Sequence, residues 1–304
     1  MKITNENGIP VPIYRAICSN WYSGHNSEHF CSVTALLKGV KQFVLEKRYS
    51  NELEEEASDN VWSLLGSAMH AVIERVGGDN SLVEERLQVK INGEIVSGGV
   101  DLYENGTITD FKFTSVWSWI LVGRISEWEK QLNCYAYLYK KAGFPVNKLE
   151  IIAIFRDWQK SKFKAKKSSE CYPKQIEVIP LTLWSDDKTE AFMREKISMF
   201  QEALDLPDDM ITPCSRQERW EDKPQYALVK TGSTRATKLF DTPDEAKAYW
   251  SEKFNDDLSY DIQERFKEPK KCAEYCSVNK YCNFYKERFN NEIVPNLKDI
   301  KHVA

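Results

Sequence analysis

The sequence predicts a mixed α/β fold, in which a central twisted sheet is flanked by helices. Three observations support this prediction. Apolar residues recur at helical spacing over residues 59–76, and two Asn-Gly dipeptides, at 92–93 and 105–106, separate segments that alternate as strands do. Further on, an apolar strand-like run covers residues 149–155 and a long helical segment covers 186–204. A chain that mixes these two periodicities is expected to pack helices against a sheet.

The elements are predicted in order along the chain. Prolines and turn residues make residues 1–30 an irregular lead-in. Ser32 and Thr34 offer caps for a first helix, which is expected to extend to about residue 45. Asn-Gly is the strongest short hairpin signal, so a three-stranded meander is expected to follow the second helix. The strands of the meander are predicted at 82–91, 94–103 and 107–113, and the later elements are a helix at 126–142, strands at 149–155 and 175–183, and a helix at 186–204.

The domain organisation follows from changes in composition. A catalytic core is expected over residues 31–205. Prolines and polar residues then mark a small inserted unit of two strands and a helix at 206–258, and a cysteine-containing tail at 259–304 is expected to pack on the core. No stretch approaches the roughly 20 apolar residues of a membrane span, and the start does not resemble a signal peptide. We therefore expect a cytoplasmic protein, located in the host cytoplasm if phage-encoded, without a membrane partner.

The net charge of −4 does not by itself indicate nucleic-acid binding. An acidic total is still compatible with an enzyme that cuts DNA, because carboxylates that hold metal ions offset basic residues elsewhere. One dense basic stretch could be either a solvated loop or a loop that contacts phosphates. It contains Lys160, Lys162, Lys164, Lys166 and Lys167.

Two carboxylates and a lysine on the meander form a candidate active site. Asp110 and Lys112 are two residues apart on one predicted strand, so their side chains project to the same face. A tight hairpin brings Asp101, on the preceding strand, within reach of Asp110. Mg²⁺ and Mn²⁺ prefer oxygen ligands, and a lysine can orient water and stabilise developing charge. By itself the Asp-x-Lys triplet favours a surface hairpin with an Asp–Lys ion pair, because such triplets are common.

The order of motifs resembles a known family. Gly66-Ser67-Ala68-Met69-His70 on a helix is followed by Gly98-Gly99-Val100-Asp101, by Thr109-Asp110-Phe111-Lys112, and by Gln131 and Tyr135 on a later helix. Together with the Ser32-Val33-Thr34-Ala35-Leu36-Leu37 start, this order is similar to the RecB-like branch of the PD-(D/E)XK nucleases over roughly residues 30–290. The resemblance implies a restriction-endonuclease-like core.

The resemblance also implies roles for individual residues. His70, Asp101, Asp110 and the Phe111 carbonyl would ligate Mg²⁺ or Mn²⁺, and Lys112 would be the catalytic lysine. Gln131 and Tyr135 would line the site and contact DNA. Independently of the resemblance, Arg156 could hold a phosphate and Trp158 could stack on a base, or Trp158 could be a core aromatic. Alternative interpretations remain for these side chains: a core histidine at His70, ordinary helix surface at Gln131 and Tyr135, and a strand-end ion pair at Arg156.

Three clustered cysteines suggest a second metal site. Cys272, Cys276 and Cys282 lie within eleven residues, and several RecB-like nucleases hold a 4Fe-4S cluster with three such cysteines and a remote fourth. The usual remote position holds Gly39 here, which leaves Cys31 and Cys214 as candidates. Cys214 is favoured because Thr212-Pro213-Cys214-Ser215-x3-Arg219-Trp220 resembles phage-type members. Zn²⁺ and unliganded thiols remain alternatives.

The function that the resemblance implies is metal-dependent hydrolysis of DNA, with an exonuclease favoured over an endonuclease, in phage recombination, repair or replication. The partners would be DNA and a helicase or a single-strand annealing protein. Two alternatives from other classes remain. One is a catalytically silent DNA-binding or scaffold protein with the same fold, and the other is a metal-stapled protein-interaction module in which the carboxylates are surface charges.

Overall fold

The computed structural model describes residues 2–19, 29–75, 81–82, 85–117, 123–165 and 172–289. Lys166 and Lys167 of the basic stretch lie outside these ranges, as do residues 290–304 of the predicted tail. The chain divides into two compact units, Met1–Ile211 and Thr212–Ala304.

The first unit contains helices and strands in alternation, so the mixed α/β prediction is confirmed. Its helices are α1 (Val11–Cys18), α2 (Val33–Leu36), α3 (Val40–Arg48), α4 (Val61–Glu74), α5 (Gly123–Lys141), α6 (Lys160–Ala165) and α7 (Asp186–Leu204). Its strands are β1 (Lys2–Thr4), β2 (Cys31–Ser32), β3 (Glu54–Glu56), β4 (Ser81–Leu82), β5 (Arg86–Ile91), β6 (Glu94–Gly99), β7 (Leu102–Glu104), β8 (Thr107–Thr114), β9 (Lys148–Phe155) and β10 (Ile176–Leu181). Within the described ranges, no helix is both long enough and apolar enough to cross a membrane.

The main sheet of the first unit has five strands in the order β10-β9-β8-β7-β4. Strands β8 and β9 are parallel, while the other neighbours in this sheet are antiparallel. A parallel pair needs a crossover connection, and α5 lies in the chain between β8 and β9. A separate sheet has the order β2-β6-β5, and β1 pairs with β3.

The expected three-stranded meander is instead two hairpins that belong to different sheets. Both Asn-Gly turns form as predicted, with positive φ at Asn92 and Gly93 and at Asn105 and Gly106. However, β6 ends at Gly99 and pairs with β5, whereas β7 begins at Leu102 and pairs with β8. The continuous strand expected over 94–103 is therefore wrong: the chain bends at Val100 and Asp101 and changes sheets there.

The lead-in also differs from its prediction, since it contains β1 and α1. Pro12 does not break α1, because it occupies the first turn of the helix, where a backbone N–H would have no intrahelical partner. The prediction that prolines keep residues 1–30 irregular is therefore wrong at this helix.

The core of the first unit is formed by α5, α7 and the inner faces of the strands. Phe43 of α3 stacks on Phe200 of α7, with ring centroids 3.9 Å apart. Lys41 is fully buried, and its ammonium group donates to the carbonyl oxygens of Asp208, at 2.7 Å, and Ile211, at 3.1 Å. These bonds satisfy a charge that would otherwise be costly to bury.

The second unit has its own sheet and core. Strands β11 (Gln225–Lys230), β12 (Ala236–Phe240) and β13 (Tyr260–Arg265) form an antiparallel sheet in the order β12-β11-β13. Helix α8 (Pro243–Phe254) packs on this sheet through Ala246. The third strand lies beyond the predicted two-strand insertion. Helices α9 (Lys270–Glu274) and α10 (Asn283–Phe289) follow it.

Gly98→Ala is expected to lower the free energy of unfolding by about 1–3 kcal/mol. A Cβ at this position would lie 2.6 Å from a ring carbon of Tyr135 and 3.0 Å from Val33 Cγ2. The matched control is Gly66→Ala in α4, where a Cβ meets nothing within 4 Å. Because alanine favours helix, we expect this control to raise stability by roughly 0.5–1 kcal/mol. Urea unfolding measures both changes, and equal effects would contradict the close packing at Gly98.

Candidate active site

The candidate site lies where α4 faces the junction between β6, β7 and β8. Helix α4 carries His70, whose side chain is 19% exposed. The His70 Nδ1 atom lies 3.2 Å from Asp101 Oδ1. The predicted motif residues from the helix and from the strand junction are therefore brought into direct contact.

Asp101 holds the bend between the two sheets. Its Oδ2 atom accepts a hydrogen bond from the backbone N–H of Phe111 at 2.7 Å. A short acidic side chain that binds backbone groups offers the chain an alternative to regular strand pairing. This bond explains why the strand breaks at Asp101, and it fixes the carboxylate beside β8.

Asp110 and Lys112 project from β8 to the same face, as predicted. The Lys112 Nζ atom lies 2.6 Å from Asp110 Oδ2, and the two side chains are 26% and 5% exposed. The contact is an ion pair, and within the described part of the chain this buried carboxylate oxygen makes no further hydrogen bond. A buried oxygen without a further donor is unusual and suits a site that receives a cation.

The electrostatics of the four side chains are mutually dependent. The pKa of Asp110 is raised to about 6, chiefly by burial and also by the charge of Asp101, while Lys112 and His70 act in the opposite direction. The hydrogen bond with Asp101 raises the pKa of His70 above its ordinary value, against the effect of burial. A perturbed carboxyl group beside a histidine and a lysine is typical of functional sites.

Gln131 and Tyr135 lie on α5, and the Gln131 Nε2 atom donates to the Tyr135 hydroxyl at 3.2 Å. Tyr135 is buried, with 6% exposure, and its ring lies against Gly98 in β6. In this arrangement Tyr135 supports the strand that leads to Asp101. Gln131 is half-buried.

Arg156 follows β9, and its backbone N–H donates to Thr114 O at 2.9 Å. Its guanidinium carbon lies 4.2 Å from the centre of the Trp62 ring on α4. Sequence reasoning missed Trp62, because nothing local links positions 62 and 156. Trp158, the stacking residue suggested by the sequence, instead donates its Nε1–H to Pro173 O at 3.0 Å.

The residues suit a divalent cation in type, although not in their present arrangement. Among the described residues, no group of three or more His, Cys, Asp and Glu side chains is arranged so that it could hold a metal ion. Asp101 is engaged by His70 and the Phe111 N–H, and Asp110 by Lys112. These partners stabilise the carboxylates through positive charge and hydrogen bonds, where a cation would do so through its charge and coordination.

Four cysteines share one environment in the second unit. The pKa of Cys272 is raised to about 12, chiefly by burial and also by the thiols of Cys276, Cys214 and Cys282. Cys214 is thus one of the thiols close enough to influence Cys272. Neighbouring thiolates repel one another, so the thiols stay protonated in the absence of metal. Binding of a metal ion would release their protons.

A buried charged network holds the Cys214 segment. The Arg219 guanidinium contacts the Cys214 carbonyl oxygen and the carboxylate of Glu221, and Glu221 also lies 3.6 Å from Arg288. Arg219 further stacks over Phe284, 4.3 Å from the ring centre. From the sequence, Arg219 is recognisable only as part of the motif around Cys214. No local pattern predicts that Glu221 and Arg288 join it in one network.

Cys31, the alternative fourth ligand, is buried in the core of the first unit. Burial raises the pKa of the Cys31 thiol to about 12, and this thiol in turn raises the pKa of Cys134. A buried thiol in apolar surroundings behaves as a small hydrophobic side chain.

Comparison with known proteins gives little additional information. No protein-family model matches the chain, and no curated protein matches it. Among solved structures, one described as "Crystal structure of SSO0001" is similar, with a TM-score of 0.42 and 17% identity over 62% of this chain and 84% of that chain. A similarity of this size carries no argument about fold family or function.

Asp101→Asn is expected to lower the pKa of His70, because the Asp101 carboxylate stabilises the imidazolium form. Imidazole NMR titration in EDTA would measure the change, with His70→Gln used to assign the signal. Asp187→Asn, a change at an exposed position at the start of α7, is the matched control and should leave the pKa in place. An unchanged pKa in Asp101→Asn would mean that the contact does not form in solution.

Proposed function

We propose that the protein is a divalent-metal-dependent deoxyribonuclease of the RecB-like branch of the PD-(D/E)XK superfamily. One observation carries the proposal: His70, Asp101, Asp110 and Lys112 come from separate segments and meet in one cluster. This set matches the motif residues that the family resemblance assigns to metal binding and catalysis. The junction between β6, β7 and β8 with α4 above it is what we would expect of the core of that superfamily.

The metal ligands in this proposal are His70, Asp101, Asp110 and the Phe111 carbonyl. When bound, Mg²⁺ or Mn²⁺ supplies positive charge that offsets the anionic phosphodiester and makes water more acidic. Asp110 Oδ2 suits this role because it is buried and, among the described residues, makes no hydrogen bond beyond its contact with Lys112. Asp101 is already oriented by the Phe111 N–H.

Lys112 acts on the reacting groups. Its ammonium group is held by the buried Asp110, and the Lys112 side chain as a whole is 26% exposed. From there it donates to the attacking water and to the phosphate oxygens on which negative charge develops. His70 orients Asp101 through their contact and keeps the carboxylate in one position.

DNA is the proposed substrate, and exonuclease action is favoured over endonuclease action. Arg156 and the described lysines of the basic stretch, Lys160, Lys162 and Lys164, supply positive charge beyond the carboxyl end of β9. Gln131 lies on α5 and donates to the hydroxyl of Tyr135. A role in phage recombination, repair or replication, with a helicase or a single-strand annealing protein as partner, belongs to the same proposal.

The four cysteines are proposed as a second metal site, with a structural role. Cys214, Cys272, Cys276 and Cys282 have the donor chemistry for a 4Fe-4S cluster, with Zn²⁺ as the alternative. The effect of three thiols on the pKa of Cys272 supports this set of four. Arg219 and Glu221 would then hold the segment that carries Cys214.

Asp110→Ala is expected to abolish cleavage of end-labelled linear DNA in Mn²⁺, with a loss of at least about 100-fold in rate. Lys112→Ala should lose about 10²–10⁴-fold, since a positioned proton donor is removed. The measurement compares linear with closed circular DNA, in Mn²⁺ and in EDTA. An exonuclease leaves the circular form intact.

The matched control for this assay is Asp187→Ala, which removes an exposed carboxylate far along the sequence. It should cleave at the wild-type rate. If folded Asp110→Ala cleaves as fast as wild type, the catalytic assignment fails. If none of the proteins cleaves but all bind DNA, the silent scaffold interpretation replaces the nuclease.

Cys214→Ser and Cys272→Ser are each expected to lose the bound metal. Anaerobic purification followed by iron, sulfide and zinc analysis measures this, and a broad visible absorbance identifies iron–sulfur. Cys31→Ala is the matched control, because it removes the alternative fourth thiol from the core of the first unit. Loss of metal in Cys31→Ala, but not in Cys214→Ser, would contradict the assignment.

A further inference from the structure

Helix α4 exposes an apolar stripe on the side that the core does not use. Trp62, Leu65, Met69 and Val72 follow at helical spacing and are 56%, 50%, 37% and 54% exposed. Single exposed apolar residues are common, but a run of four on one helix marks an interaction surface. The same helix also carries His70 of the candidate active site, next to Met69 in the chain.

Trp62 is the one member of the stripe that is paired with a charge. The Arg156 guanidinium carbon lies 4.2 Å from the ring centre, which is within the range of a cation–π contact. Both residues are exposed. A solvent-exposed contact of this kind contributes little to stability, so its placement needs another explanation.

The pair has a defined position relative to the catalytic cluster. The Arg156 N–H is bonded to Thr114 O, and Thr114 is two residues beyond Lys112 on β8. Trp62 is eight residues before His70 on α4, a distance of about 12 Å along the helix axis. Trp62 and His70 thus share α4, and Arg156 is fastened to β8, the strand that carries Asp110 and Lys112.

We propose that Trp62 and Arg156 form a subsite for one unpaired nucleotide, in which the base stacks on the indole ring and the guanidinium binds the adjacent phosphate. Every base has an aromatic face, so this recognition selects single-stranded nucleic acid without selecting a sequence. Arginine suits the subsite because its planar group can stack on the indole and still donate to phosphate oxygens. This inference rests on the proposed nuclease function and names its substrate as a single strand.

The test measures binding of a fluorescent oligothymidylate and of a blunt hairpin duplex to the full chain in EDTA, which prevents cleavage. Trp62→Ala should raise the Kd for the single strand roughly 5- to 150-fold and leave duplex binding unchanged. Trp62→Phe, which keeps an aromatic face, should retain most of the affinity. Arg156→Ala should weaken binding and reduce the dependence on salt by one phosphate contact.

Leu65→Ala is the matched control on the same helix face, since it removes exposed apolar area without an aromatic ring. It should bind the single strand as wild type does. Equal losses in Leu65→Ala and Trp62→Ala would overturn the subsite and point to an apolar docking surface for a protein. Unchanged binding in Trp62→Ala, or no binding by wild type, would also overturn it.

Cleavage assays with Mn²⁺ separate this inference from the function on which it rests. If wild type cleaves DNA and Trp62→Ala has the same KM for single strands, the subsite fails while the nuclease stands. If wild type binds single strands through Trp62 but cleaves nothing, the nuclease fails and the subsite stands as a binding site.

Discussion

The hydrogen bond from the Phe111 N–H to the Asp101 carboxylate is the interaction on which the candidate site depends. It joins the bend between two sheets to β8, and so it brings Asp101 beside Asp110. The bend itself needs the close contact of Gly98 with Tyr135, which leaves no room for a side chain. Without this bond the chain could continue as one strand, and the carboxylate would have no reason to leave regular pairing.

The two carboxylates of the resulting cluster are paired with the positively charged Lys112 and with His70. Asp110 is buried beside another carboxylate, which raises its pKa, and Lys112 and His70 offset only part of this cost. Buried charges of one sign are retained in proteins where they have a task, because removing them would otherwise stabilise the fold. In the second unit the thiols around Cys272 show the same pattern, since burial and neighbouring thiols both oppose ionisation.

The sequence predicted those features that depend on local chemistry. Helix α7 was predicted within its observed bounds, because Ser185 caps it and its apolar residues keep one period. Both Asn-Gly turns formed as well, because these two residue types tolerate the positive φ angles that a tight hairpin turn requires. The split of the meander could not be predicted, since it depends on a side-chain bond across ten residues to another strand. Likewise, the pairing of Trp62 with Arg156 brings together residues far apart in sequence, and no local pattern reports it.

Lys41 has a consequence for how the chain can be divided. Its buried ammonium group is enclosed by the carbonyl oxygens of Asp208 and Ile211, much as a structural cation would be held. The last residues of the first unit are therefore fastened to α3, and Ile211 is itself part of the hydrophobic core. Cutting the chain before Asp208 would therefore leave the Lys41 ammonium group buried without these two acceptors, whereas a cut after Ile211 leaves both in place.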